Sequence, residues 1–205
     1  MQTSLGVKGA IEGNRWKMRD FITLAIFNVV MLIVMTINGM FAYPLNYLMG
    51  AGIVALINGP VYMVMANKIG KRGVLFFSSL LTGLFFVAFG LVYYLLVFAV
   101  VGLLCELVMW GGDSYRRPVR NAAGYSLFYV GYSMCGVVPL IFFRDQYVSG
   151  LEKSYSPEAL ADMLYYYETP SMVLIMCSIT LAGAVGGCLL GRLMLRKHVK
   201  KARLV

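Results

Sequence analysis

The chain has 205 residues, 60% of them hydrophobic and 13% charged, with a mean hydropathy of +0.76. That balance leaves no room for a water-soluble domain of any size and points to one membrane domain. The formal charge of +9 is confined to the tails and a few short connections, so it reports topology and contact with anionic lipid, and nucleic acid is not needed to explain it.

A helix crossing a bilayer core needs about 20 apolar residues. After a polar segment, 1–20, residues 21–40 form the first such run and 45–67 the second. The run from Gly73 to Trp110 is too long for one crossing and reads as two, 73–91 and 93–111, joined by a tight turn near Gly90 to Tyr94. Residues 121–143 give a fifth span and 170–195 a sixth, followed by a basic tail, 196–205. A removable signal peptide is not expected, because the first apolar run is a full span followed by five more. The fold class is therefore all-α: six transmembrane helices in one domain, 21–195, with one long loop at 144–169.

With both termini in the cytoplasm, sixteen basic residues fall inside and only Arg144 and Lys153 outside, the asymmetry of the positive-inside rule. The outer loop is acidic instead, carrying Asp145, Glu152, Glu158, Asp162 and Glu168. The expected location is a cytoplasmic membrane, multi-pass.

Close helix packing in lipid uses small residues four apart. Span six has Gly183, Gly187 and Gly191 in that register, and span two has Ala51, Ala55 and Gly59, followed by Pro60, where a kink is expected. Spacing leaves open whether these faces meet each other or a partner's helix. In the outer loop, Ser156, Pro157 and Glu158 read as an N-cap, a first-turn proline and a dipole-favouring acid, opening a short helix at about 157–167.

Tyrosines collect on the outer side: Tyr43 and Tyr47, Tyr93 and Tyr94, then Tyr147, Tyr155 and Tyr165 to Tyr167. An interfacial aromatic belt is one reading. A ligand pocket open to the outside is the other, since convergent aromatics with a few polar groups make small-molecule sites. Arg144 and Asp145, at the outer end of span five, are the charged candidates, because a charge near the hydrocarbon is costly unless paired or used. The candidate substrate-binding set is Arg144, Asp145, Tyr43, Tyr47, Asn46, Tyr132, Tyr147 and Tyr166, with Asn38 as a further lining residue.

Catalysis is not expected. The sole histidine, His198, lies in the basic tail, no acid pair sits at helical spacing within a span, and no glycine-rich phosphate loop occurs. Glu106 is the one ionisable residue well inside a span, and Arg116, Arg117 or Arg120, or a partner protein, is its expected partner. Cys105, Cys135, Cys177 and Cys188 have no metal-type spacing and read as packing residues, so neither metal nor cofactor is expected.

Three segments carry a family resemblance: Met18, Arg19, Asp20, Phe21, Ile22, Thr23; then Phe143, Arg144, Asp145, Gln146, Tyr147; and the ending Gly191 to His198 with Lys201 and Ala202. They resemble the Trep_Strep family of bacterial integral membrane proteins over nearly the whole chain. Members of that family are regarded as substrate-binding S components of energy-coupling factor (ECF) transporters, ABC importers of vitamins and related micronutrients. The resemblance implies an S-component-like bundle that binds a vitamin-like solute near the outer face and docks on a transmembrane T protein with two cytoplasmic ATPases. Many S components dock through alanines four apart in the first span. Here Ala25 is followed four residues on by Val29, which shifts the expected docking face toward Ala51, Ala55 and Gly59 of span two, with Ala25 beside it. A self-sufficient secondary transporter and a non-transporting assembly factor are the alternatives. The lack of a midplane ion-coupling acid and of an evident repeat disfavours the first.

Overall fold

The computed structural model describes residues 15–40, 44–111, 115, 117–153 and 155–202. Among these residues the structure is helical without a strand. The helices are α1 (Met18–Gly39), α2 (Pro44–Ile69), α3 (Val74–Val87), α4 (Val92–Val108), α5 (Pro118–Ser133), α6 (Val137–Phe142), α7 (Arg144–Leu151), α8 (Pro157–Glu168) and α9 (Pro170–Ala202).

Among the described residues three helical stretches are long and apolar enough to cross a membrane: Met18–Gly39, Leu45–Ile69 and Pro170–Arg196. The runs expected at 73–91 and 93–111 are shorter as helices, because the chain turns through Gly90 at φ +83°, a conformation that favours glycine. At 1.5 Å per residue, α3 covers only about 21 Å. The run expected at 121–143 is broken after Ser133 and resumes as α6. Pro139 sits in the first turn of α6, where a missing N–H leaves no hydrogen bond unmade. Tyr167 presses on Gly136 at the break, where a side chain would collide with its ring. In contrast, α2 continues unbroken through Pro60.

The bundle is apolar outside and buries polar residues within its largely apolar core. Ile33, Val100, Leu107 and Leu193 are more than half exposed, whereas Asn28, Asn58, Asn121 and Thr180 are at most 2% exposed. Water penalises that arrangement and lipid favours it. A polar seam runs through the interior. Asn58 Nδ2 donates to the Tyr129 hydroxyl at 2.8 Å, and Tyr129 packs on Tyr125, which stacks on Tyr62 with ring centroids 4.6 Å apart. The Tyr62 hydroxyl donates to Asn121 Oδ1 at 2.6 Å, and Asn121 Nδ2 donates to the Tyr115 carbonyl at 2.6 Å. Tyr115 in turn donates its hydroxyl to Glu106.

The two small-residue faces meet each other. Ala55 O and Leu56 O lie 2.6 and 2.8 Å from where a Cβ on Gly187 would stand, and a Cβ on Gly59 would collide with the Gly187 backbone. Gly183 faces the backbone of Gly52, and Gly191 faces Met63 and Pro60. The α2–α9 pair is the most extensive helix contact in the bundle. Ala55 and Gly59 are therefore covered by α9 of the same chain, a correction to the expected docking face.

One end of the bundle is basic. There Lys71 pairs with Asp20 at 2.5 Å, Trp16 donates to the Arg72 carbonyl, Arg72 lies over the Trp110 ring, and Arg120 donates to the Trp110 carbonyl. Of the arginines expected for Glu106, Arg116 lies outside the described residues, and the contacts of Glu106 that stand out are with Tyr115 and Phe76. Its carboxylate takes the Tyr115 hydroxyl and lies 3.5 Å from the amide of Phe76, in the first turn of α3, where the helix dipole favours an anion.

Candidate ligand-binding site

The opposite end is rich in tyrosine and capped by α7 and α8. Ser156 sets the start of α8: its Oγ accepts from the Ala159 amide at 3.3 Å, with Pro157 at the first helical position and Glu158 in the first turn. A small apolar cluster of Leu140, Tyr147, Leu151, Leu160 and Met163 holds the two short helices down. Tyr47 anchors them to α2, donating its hydroxyl to the Ala159 carbonyl at 3.4 Å. Its ring lies 5.9 Å from that of Tyr166 and 5.7 Å from that of Tyr167.

Beneath this cap lies a cavity of about 370 Å³, within the range of small-molecule sites. Its aromatic wall includes Tyr47, Tyr94, Tyr132, Tyr155, Tyr167 and Phe86, and its polar groups include Asn38, Asn46, Thr36 and Ser133. The helix break makes room for it, since Ser133 and Gly136 line the cavity where a continuous helix would pass. Phe86 and Tyr132 rings are 6.0 Å apart at 25°, and Tyr132 lies 6.2 Å from Phe98 at 23°, so a layered aromatic surface closes one side. Asn46 Nδ2 donates to the Asn38 carbonyl at 3.2 Å, bridging the end of α1 and the start of α2 beside the cavity. Such a space suits a flat solute with a few hydrogen-bonding groups, held by stacking and amide contacts.

Of the residues expected from sequence, Asn46, Tyr47 and Tyr132, with Asn38, line the cavity. Tyr166 touches Tyr47 but is not part of the wall; its neighbour Tyr167 is. Tyr43 lies outside the described residues. Tyr147 is buried in the capping cluster, its hydroxyl 3.5 Å from that of Tyr94. Burial pushes the Tyr147 hydroxyl up to about 12 and the Tyr167 hydroxyl upward as well, so both stay neutral at physiological pH.

The charged pair departs from expectation. Arg144 and Asp145 are exposed on α7 and do not line the cavity. Arg144 Nε donates to Glu168 Oε1 at 2.8 Å, tying the start of α7 to the end of α8. The Glu168 carboxylate raises the Arg144 pKa further above its ordinary value. The bond crosses open solvent, where ion pairs contribute little. Arg144→Gln is accordingly expected to leave thermal stability and solute retention unchanged, as checked by melting in detergent and by analysis of bound small molecules.

Ala51, expected on a docking face, instead lines the cavity. Ala25 is exposed on α1, amid Phe21, Ile22, Ile26 and Val29. Among the described residues there is no group of three or more His, Cys, Asp or Glu placed to hold a metal ion.

Fold and cavity together define an integral membrane helix bundle with a solute-sized aromatic chamber at one end. The profile of a family described as a hypothetical bacterial integral membrane protein (Trep_Strep) matches residues 18–201, and the chain belongs to that family. No curated protein and no solved structure matches it.

Proposed function

We propose that this chain is the substrate-binding S component of an ECF-type ABC importer, capturing a vitamin-like micronutrient at the outer face of a bacterial cytoplasmic membrane. The observation that carries the reading is the 370 Å³ tyrosine-lined cavity at the end of the bundle that is poor in basic residues. The positive-inside rule turns that end outward and the basic end, with both termini, inward. In this reading α1, α2 and α9 each cross the membrane, the α3–α4 hairpin supplies two crossings and α5 with α6 one, giving six.

The solute enters beneath α7 and α8, stacks on Tyr132 and Tyr167, and places its polar edge on Asn38 and Asn46. The seam from Asn58 to Glu106 is filled by side chains that bond one another, so the cavity is a binding chamber and not a pore. Release into the cell therefore requires reorientation of the whole bundle, driven by a T protein and two ATPases. With Ala55 and Gly59 covered by α9, the docking face moves to the exposed apolar side of α1 that includes Ala25 and Val29.

Uptake of the solute in reconstituted vesicles tests the reading. Transport is expected only when the T protein and its ATPases are present and ATP is supplied. Uptake by the purified chain alone would overturn it in favour of a self-sufficient transporter.

A further inference from the structure

A second concavity, about 620 Å³, runs between α5 and α9 on the surface of the bundle, away from the tyrosine-rich chamber. Pro118, Ala123 and Val130 of α5 face Leu181, Leu189 and Arg192 of α9. Apart from Ser126 its wall is otherwise apolar, and Arg192 is the one charged residue lining it among the described residues. Arg192 makes no ion pair among the described residues, and exposed Arg117 stands next to Pro118 at the same end.

Length decides what fits. From Pro118 to Val130 the helical rise is about 18 Å, close to the roughly 15 Å of one leaflet's hydrocarbon and well short of the 30 Å that a partner's spanning helix must bury. The groove therefore matches a single lipid chain. Its charged mouth lies at the basic end of the bundle, and basic pockets between spanning helices on the cytoplasmic side attract anionic headgroups. An acyl chain lying along Ala123 and Leu189 places the lipid phosphate level with the Arg192 guanidinium, the geometry in which arginine binds phosphate well.

We infer that the α5–α9 groove is a binding site for an anionic phospholipid of the cytoplasmic leaflet, with its acyl chain in the groove and its phosphate on Arg192. The inference uses the inward orientation of the basic end given above and is independent of the cargo reading.

Native mass spectrometry of the full chain, extracted from membranes with equal phosphatidylglycerol and phosphatidylcholine, tests it. Retained phosphatidylglycerol is expected to exceed phosphatidylcholine by about fivefold, the effect of one basic side chain near an anionic headgroup. Arg192→Gln should abolish that preference. Ala123→Phe should reduce retained lipid of both kinds, and Leu189→Trp repeats the block from the other wall, so that a folding failure in one variant does not decide the outcome. Equal retention of the two lipids in the native chain, or a phosphatidylglycerol excess that survives in Arg192→Gln, would overturn the site. So would a dimer that Ala123→Phe dissociates, which would give the groove to a second copy of the chain. The assay counts lipids and not solutes, so its failure and that of the importer reading are separable.

Discussion

Gly187→Ala is expected to destabilise the bundle by about 3 kcal/mol, although it adds one methyl group to a helix. The added carbon would stand 2.6 Å from Ala55 O, 2.8 Å from Leu56 O and 3.1 Å from Gly59 Cα, all backbone atoms that cannot rotate away. Relief requires α9 to move off α2 along the most extensive interface in the molecule, which loses the dispersion contacts that hold helices together where no hydrophobic driving force exists between them. Gly186→Ala is the control. One position earlier, the same methyl meets only Leu56 Cδ1 at 3.2 Å, the end of a flexible side chain, and near-native stability is expected. Thermal unfolding in a single detergent compares the two. Equal melting temperatures would show that the close approach of α2 and α9 is not what holds them.

Asn121→Leu is the second large effect. Asn121 is 1% exposed and joins three segments: its Oδ1 accepts from Tyr62 on α2, its Nδ2 donates to the Tyr115 carbonyl, and its own backbone opens α5. Leucine, near in volume, leaves the Tyr62 hydroxyl without an acceptor and the Tyr115 carbonyl without a donor. At about 1–3 kcal/mol for each orphaned buried group, the expected loss is roughly 2–6 kcal/mol. Tyr62→Phe removes one hydroxyl, orphans only Asn121 Oδ1, and should cost about half as much. The ratio of the two losses is the informative quantity. A Tyr62→Phe loss as large as that of Asn121→Leu would mean that the Tyr62 hydroxyl bond carries the energy and that the bond to the Tyr115 carbonyl adds nothing.

The helices and their ends were largely legible from sequence because their signals are local. Apolar runs placed most of the long helices, and Ser156 with Pro157 placed the start of α8. Small residues four apart marked two packing faces correctly, but nothing in spacing says which face meets which; the mutual fit of Gly59 and Gly187 exists only in the folded chain.

The chamber was half legible for the same reason. Asn46, Tyr47 and Tyr132 announce themselves as polar or aromatic residues near one end of the bundle. Choosing Tyr167 over Tyr166 depends on a rotation of about 100° per residue within α8, set by how the short helix lies on the bundle. Arg144 was misplaced because its partner, Glu168, is 24 residues away and is brought close only by the turn between α7 and α8. The break at Met134 to Gly136 has a sequence mark in Gly136 and Pro139. Its purpose is visible only once Tyr167 is seen against it.

The most direct test of the proposed solute chamber is mass spectrometry of small molecules released from the gently purified protein, compared across Thr36→Trp, Tyr132→Phe and Arg144→Gln. Thr36 is exposed and lines the cavity, so tryptophan there obstructs the chamber without disturbing the core. One discrete compound is expected from the native protein and from Arg144→Gln, reduced in Tyr132→Phe and absent in Thr36→Trp. A compound that persists in Thr36→Trp and disappears in Arg144→Gln would contradict the account and return the site to the exposed arginine.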